Sequence, residues 1–201
     1  MNRTLLIAVI ALLGLVLGWV TWFWQPGTHQ PHSPISLASA PTGGDFTLQS
    51  FDGPVSLHDF RGKVVLIYFG YTSCPDICPT SLAFTSQALN ALDKEELART
   101  QVLFISVDPE RDTLEKLKEY GPFFHAKVLG LTGTPQEIAD AARQYGASYR
   151  KQDTGSAGGY VVDHSSSTYV IDPNGKLAAT LQHGTTPADV ARAIRAAMQS
   201  R

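Results

Sequence analysis

The sequence contains little cysteine or methionine, the residues that form disulfides in small domains and bind soft metals. Of its 201 residues only two are cysteine and two are methionine, and Met1 and Met198 lie near the chain ends. A scaffold of several disulfides is therefore excluded, and so is a methionine-rich metal site. Charged residues make up 17% of the chain and the formal net charge is −2, so we expect no basic surface for nucleic acid.

The N-terminal segment almost lacks charge, since Arg3 is the only charged residue among the first 44. Residues 5–24 are nearly all apolar and, at about 1.5 Å per residue, span roughly 30 Å of hydrocarbon. We therefore predict a single-pass membrane anchor over residues 1–24. Because basic residues stay inside, Arg3 is expected on the cytoplasmic side of the inner membrane and the rest of the chain on the periplasmic, extracytoplasmic side.

A tether and one domain are predicted after the anchor. Residues 25–44 are rich in Pro, Gly, Ser and Thr, which is typical of a flexible linker. Ala38-Ser39-Ala40 has the small-residue pattern of a cleavage site, so a cleaved signal peptide is the alternative to a retained anchor. Residues 45–201 are sufficient for one domain with its own core.

Strand and helix signals alternate in this domain. Apolar β-type runs at 63–70 and 101–107, joined by a helix near 80–92, predict a βαβ unit with parallel strands. Capping signals indicate three further helices, beginning at Asp112, Thr134 and Thr186. Short strand pairs are predicted at 46–49 with 55–57, and at 167–171 with 177–181. Together they predict an α/β domain with a mixed sheet and helices on both faces.

The two cysteines stand together in Cys74-Pro75-Asp76-Ile77-Cys78-Pro79, after the first apolar strand. In one helical turn, thiols at positions i and i+4 would share a face. Because proline favours the first helical position, either cysteine is a candidate N-cap residue with a lowered thiol pKa. A structural disulfide is the alternative, although a bridge across so short a loop constrains the unfolded chain little.

Two thiolates favour Cu(I) or Zn(II), and a third ligand must come from another residue type. Imidazole is the expected type, and the domain offers His58, His125, His164 and His183. His164 is preferred because it precedes a predicted strand of the sheet and follows a glycine-rich stretch. An ordinary packing or surface role is the alternative for each of these histidines.

Three ordered motifs resemble the Sco/SenC family of the thioredoxin-like superfold: YFGYTSCPDICP, SVDPERDT and DHS followed by YVIDPNG. The resemblance covers about residues 43–200. It implies a membrane-anchored copper metallochaperone, rather than an enzyme, that assists assembly of the copper A centre of cytochrome c oxidase. It also implies that Cys74, Cys78 and His164 bind copper, as Cu(I) and also as Cu(II).

The implied partner is the copper A subunit, with another copper chaperone or a thiol reductant as further candidates. Asp163 is a candidate to orient the imidazole of His164, and Asp76 to tune the thiolates, with a solvated turn carboxylate as the alternative for both. The rival function is a thiol–disulfide oxidoreductase in which Cys74 and Cys78 reduce the acceptor's cysteines. Copper sensing through the same site is a third hypothesis. The acidic side chains after the second parallel strand are candidates for a docking surface, namely Asp108, Glu110 and Asp112.

Overall fold

The computed structural model describes residues 2–23, 39–156 and 159–200, which fall into two units, residues 1–33 and 34–201. In the first unit, α1 (Arg3–Phe23) is long and apolar enough to cross a membrane. Trp24 and residues 25–38 of the predicted anchor and linker lie outside the described residues.

The second unit alternates strands and helices as predicted. In chain order its elements are β1 (Thr47–Ser50), β2 (Gly53–Ser56), a 3-10 turn (Leu57–Phe60), β3 (Val64–Gly70), α2 (Ile77–Asn90), α3 (Lys94–Ala98), β4 (Thr100–Ser106), α4 (Leu114–Phe124), β5 (Val128–Leu131), α5 (Pro135–Gln144), β6 (Tyr149–Ser156), β7 (Gly159–His164), β8 (Thr168–Ile171), β9 (Leu177–Leu181) and α6 (Pro187–Gln199).

A five-stranded mixed sheet forms the centre of this unit, in the order β5-β4-β3-β8-β9. Every residue of β3 is buried, because β3 pairs in parallel with β4 and antiparallel with β8 inside the sheet and helices surround it. The continuous apolar run therefore behaves as the sequence predicts. The βαβ unit and both short strand pairs are confirmed, β1 with β2 and β8 with β9.

The register of β3 and β4 brings two motifs together. Gly70 at the end of β3 pairs with Ser106 at the end of β4, and the N–H of Val107 donates to the Gly70 carbonyl at 2.8 Å. The carboxyl ends of parallel strands meet at one edge of a sheet, where sites form in α/β folds. The segment with both cysteines leaves β3 at this edge, beside the segment that follows β4.

One hairpin was not predicted. Strands β6 and β7 pair with each other in a separate two-stranded sheet, and β7 ends at His164. The sequence of β6, Tyr-Arg-Lys-Gln-Asp-Thr-Gly-Ser, has neither alternation nor an apolar run, so periodicity gives no strand signal there. His164 therefore belongs to this hairpin, one turn ahead of the sheet strand β8.

Neither cysteine is an N-cap residue, so that prediction is wrong. Helix α2 begins at Ile77 and its N-cap residue is Asp76, which places Cys74 before the helix and Cys78 in its first turn. Pro79 also lies in the first turn, where a backbone N–H has no intrahelical partner and its loss costs nothing. The helix therefore starts earlier than its apolar stripe indicates.

The predicted cap at Asp112 is also wrong, whereas the other two are confirmed. Helix α4 follows Thr113, whose hydroxyl accepts a hydrogen bond from the N–H of Lys116. Thr134 and Thr186 cap α5 and α6 in the same way. Threonine competes well with aspartate at this position, and Asp112 is left for another role.

Candidate metal centre

Cys74, Cys78 and His164 converge at the carboxyl edge of the sheet. Their sulfur and imidazole nitrogen atoms all lie within 4.8 Å of one another, and the Sγ of Cys78 is 3.2 Å from the Nε2 of His164. All three side chains are buried. In the described parts of the chain, no other group of three Cys, His, Asp or Glu side chains is arranged to hold a metal ion. The three residues that the sequence singled out are therefore brought together.

The start of α2 surrounds the sulfur of Cys74 with hydrogen-bond donors. The backbone N–H of Cys74 donates to the carbonyl of Tyr71 at 3.2 Å, which closes the turn after β3. Backbone hydrogen bonds from Asp76 and Cys78 then reach the Cys74 sulfur. These N–H groups belong to the helix N-terminus, where they have no intrahelical acceptor and favour negative charge.

The two thiols differ in acidity. Hydrogen bonding with Cys78, and to a smaller extent with His164 and the backbone at the helix start, lowers the pKa of Cys74 to about 4, although burial acts in the opposite direction. Burial raises the pKa of Cys78 well above its usual range, and the neighbouring Cys74 thiolate raises it further. The reduced pair without metal is therefore a thiolate at Cys74 and a thiol at Cys78.

We expect iodoacetamide to alkylate Cys74 of the reduced chain at about pH 6, where an ordinary thiol with a pKa of about 8.5 is almost fully protonated. A lowered pKa means that the thiolate is present above the folded-state value and is lost only as the pH falls through about 4. Site-resolved mass spectrometry of the alkylation rate against pH measures this midpoint. A Cys78→Ala control should move the midpoint upward, and a wild-type midpoint near 8 would contradict the assignment.

The imidazole of His164 is oriented by its surroundings. Its Nδ1 lies 3.0 Å from the carbonyl oxygen of Ser165. Because a carbonyl only accepts hydrogen bonds, Nδ1 carries the proton and Nε2 presents its lone pair to the thiols. The rings of Tyr68 and Tyr71 stand edge-on to the imidazole, with centroids at 6.1 and 5.8 Å. The ring is thus fixed in tautomer and direction, as a metal-binding histidine requires.

The carboxylate of Asp163 makes no hydrogen bond to the imidazole, and the carboxylate of Asp76 makes none to the thiols. Asp163 accepts a hydrogen bond from the Gln152 side chain at 2.8 Å and lies 3.9 Å from Arg150. The carbonyl of Ser165, rather than the carboxylate of Asp163, therefore orients the imidazole at Nδ1. The Asp76 carboxylate accepts from the Thr80 hydroxyl at 3.3 Å, and it is the backbone of Asp76 that contacts Cys74.

Gly70 belongs to the site but was missed by sequence reasoning. A methyl group at this position would lie 2.8 Å from the sulfur of Cys78 and 3.0 Å from the rings of Phe104 and Tyr68. Only glycine therefore leaves the Cys78 sulfur in its place. Its position at the end of an apolar strand, next to the thiols, is the sequence signal that was available.

Asp112 is a second missed residue. It is fully buried and accepts hydrogen bonds from the backbone N–H and hydroxyl of Thr72, at 2.9 and 2.5 Å, and from the hydroxyl of Ser106 at 2.7 Å. The ammonium group of Lys116 lies 3.3 Å from the same carboxylate. Thr72 stands two residues before Cys74, so Asp112 fastens the cysteine segment to the end of β4 and to α4.

The predicted docking surface after β4 is wrong for two of its three carboxylates. Asp108 and Asp112 are fully buried because both are hydrogen-bonded inside the domain. Glu110 is exposed and pairs with Lys151 of β6 at 2.5 Å. Two of the three carboxylates after β4 therefore make hydrogen bonds inside the domain, and only Glu110 is available at the surface.

The chain is similar to known proteins in sequence and fold. The family model described as SCO1/SenC matches residues 36–199. An SCO2-like protein of Rickettsia conorii is 36% identical over 197 residues, which cover 94% of this chain and 96% of that protein. Copper-bound ScoI of Arabidopsis thaliana is 36% identical, with a TM-score of 0.70 over 79% of this chain and 98% of its own. BsSco, described as a cytochrome c oxidase assembly protein of the Sco family with a disulfide switch, is 26% identical, with a TM-score of 0.62 over 84% of this chain and 100% of its own.

The family model matches residues 36–199, a range that includes the cysteine segment and His164. Two thiols and an imidazole suit copper, the metal that the Arabidopsis thaliana protein holds. The resemblance that the three motifs indicated is therefore confirmed. The chain belongs to the SCO1/SenC family of copper-binding proteins with a thioredoxin-like fold.

Proposed function

We propose that this protein binds copper through Cys74, Cys78 and His164 and delivers it to the copper A subunit of cytochrome c oxidase. The observation that carries the proposal is the convergence of two thiols and an oriented imidazole nitrogen within 4.8 Å. This donor set favours Cu(I), because thiolates are soft ligands. Three ligands hold the ion without enclosing it, which suits a cargo that must be passed on.

The residues of the site divide the work of loading. Cys74 is already a thiolate and offers the first sulfur, whereas the buried Cys78 must release its proton before its sulfur can bind. His164 adds a neutral nitrogen with a fixed direction. An oxidised pair would bind no copper, so loading requires the reduced thiols.

The membrane anchor is part of the proposal. Helix α1 has the length and composition of a membrane span, and Arg3 is its only charged residue. We infer that α1 holds the protein in the inner membrane with the copper site on the periplasmic side. A thiol reductant is then needed as a further partner, because an oxidising compartment favours the disulfide.

A thiol–disulfide oxidoreductase is the second candidate function. It is favoured by the unequal acidity of the two thiols, since one low-pKa thiolate beside a protonated partner is a typical redox pair. The disulfide switch described for BsSco points to the same chemistry in that protein. In this role Cys74 would attack the disulfide of the copper acceptor.

We expect the reduced full-length chain in detergent, loaded with an equimolar amount of Cu(I), to pass copper to the metal-free, reduced copper A domain of the same organism. After the two proteins are separated, the copper content of each is measured by atomic absorption. The oxidised chain is the matched control and should deliver none. The oxidoreductase alternative predicts another result: no transfer of copper, but rapid reduction of a disulfide in the acceptor by the metal-free chain.

A further inference from the structure

We propose that Asp108, Arg111 and Tyr160 form an anchor that positions His164 against the two thiols. The inference rests on the proposed function, because it concerns how the third copper ligand is held. Asp108 and Arg111 come from the segment after β4, and Tyr160 lies on β7, the strand that ends at His164. None of the three makes a hydrogen bond to the thiols or to the imidazole, so all three are positioning residues.

The need for an anchor follows from the topology. Among the strands of the described residues, β6 and β7 pair with each other alone and lie outside the five-stranded sheet that positions the cysteine segment. A two-stranded hairpin is marginally stable by itself. The direction of His164 therefore depends on contacts between this hairpin and the rest of the domain.

Asp108 and Arg111 supply such contacts to Tyr160. The hydroxyl of Tyr160 donates to the fully buried carboxylate of Asp108 at 2.6 Å. The guanidinium of Arg111 donates to the same carboxylate at 2.5 Å and to the backbone carbonyl of Tyr160 at 2.8 Å. It also lies over the Tyr160 ring, 3.7 Å from the centroid. The side chain and the backbone of Tyr160 are thus held by the partly exposed side chain of Arg111 and its buried carboxylate partner, and hydrogen bonds to charged groups are stronger than those between neutral groups.

Arg111 also lies near a side chain that contacts the imidazole. Tyr71 is in the turn after β3, and its ring stands edge-on to the imidazole, with centroids at 5.8 Å. The guanidinium of Arg111 lies 5.6 Å from the Tyr71 centroid. Arg111 is therefore close to Tyr160 on β7 and to Tyr71, which links the turn before the cysteines to the strand that carries the histidine.

The exposed ion pair between Glu110 and Lys151 crosses the same junction but is a weaker tie. Both side chains are exposed to water, where screening by solvent leaves such pairs with little effect on stability. The buried carboxylate of Asp108 is different, because leaving it without Tyr160 would remove one of its hydrogen bonds inside the domain. The anchor is therefore expected to act through Asp108 and Arg111.

The test is Tyr160→Phe in the reduced full-length chain in detergent, which removes one hydroxyl and keeps the ring below Arg111. We expect Cu(I) affinity, measured by competition with a chromophoric chelator, to fall about tenfold, as is typical when a group that orients a ligand is lost. Tyr149→Phe is the matched control. Tyr149 pairs with His164 in the hairpin register, and its hydroxyl makes no hydrogen bond with the described residues, so its loss should leave the affinity unchanged.

A double-mutant cycle separates positioning from general destabilisation. If Tyr160 acts through His164, Tyr160→Phe should have no further effect on affinity in a His164→Ala background. An equal loss in both backgrounds, or no loss in the wild-type background, would overturn the anchor while the copper site stands. Unchanged affinity in His164→Ala alone is a separate result, which overturns the proposed function and the anchor with it.

Discussion

Replacing His164 by alanine is expected to lower the Cu(I) affinity of the reduced full-length chain by roughly two to three orders of magnitude. Binding at structural zinc sites with four protein ligands is worth about 10–16 kcal/mol, hence about 2.5–4 kcal/mol per ligand, and every 1.4 kcal/mol is a tenfold change in affinity. The two sulfurs remain in the variant, so weaker binding should persist. Competition with a chromophoric Cu(I) chelator in detergent measures the change.

The control for this variant is His183→Ala. His183 is exposed and its Nδ1 contacts the hydroxyl of Ser81 at 3.0 Å, away from the group that could hold a metal. Its removal should leave the affinity within experimental error. Cys74 should remain reactive toward iodoacetamide at about pH 6 in both variants, because the donors at the start of α2 are intact. Wild-type affinity in His164→Ala, combined with efficient disulfide reduction, would favour the oxidoreductase function instead.

Replacing Asp112 by alanine is expected to lower the free energy of unfolding of the metal-free chain by about 3–5 kcal/mol, because each buried hydrogen-bond donor left without an acceptor costs about 1–3 kcal/mol. The substitution leaves the N–H and hydroxyl of Thr72 and the hydroxyl of Ser106 without their acceptor. Lys116 loses its partner as well. All tryptophans precede residue 25, so urea unfolding of the domain should be followed by circular dichroism rather than by tryptophan fluorescence.

Asp76→Ala is the matched control for Asp112. Asp76 lies in the same cysteine segment, but its carboxylate is exposed and accepts only from the Thr80 hydroxyl in the described structure. Its removal should change the free energy of unfolding by about 0.5 kcal/mol or less. Asp112→Asn should lie between the two, because an amide oxygen still accepts hydrogen bonds. If Asp112→Ala destabilises no more than Asp76→Ala, the role assigned to Asp112 is incorrect.

Much of the sheet follows from local patterns. Short stretches of sequence predict β3 and the alternation of strands with capped helices. A strand that is buried on both faces is a continuous apolar run, and a helix that is buried along one stripe has apolar residues at helical spacing. The hairpin of β6 and β7 left no such pattern, because its residues are mostly polar. Asp112 looked like a helix cap by spacing, and only the approach of Thr72 and Ser106 shows why its carboxylate is buried.

The sequence by itself determined that two thiols lie within one turn of each other, since four positions along one segment fix that distance. The tertiary structure decided which histidine joins them, because His164 is 86 positions from Cys78 and reaches it only through the packing of a separate hairpin. It also decided which thiol is ionised and which carbonyl holds Nδ1 of His164. These properties depend on burial and on hydrogen-bonding groups from distant segments, and the spacing of residues along the chain does not reveal either.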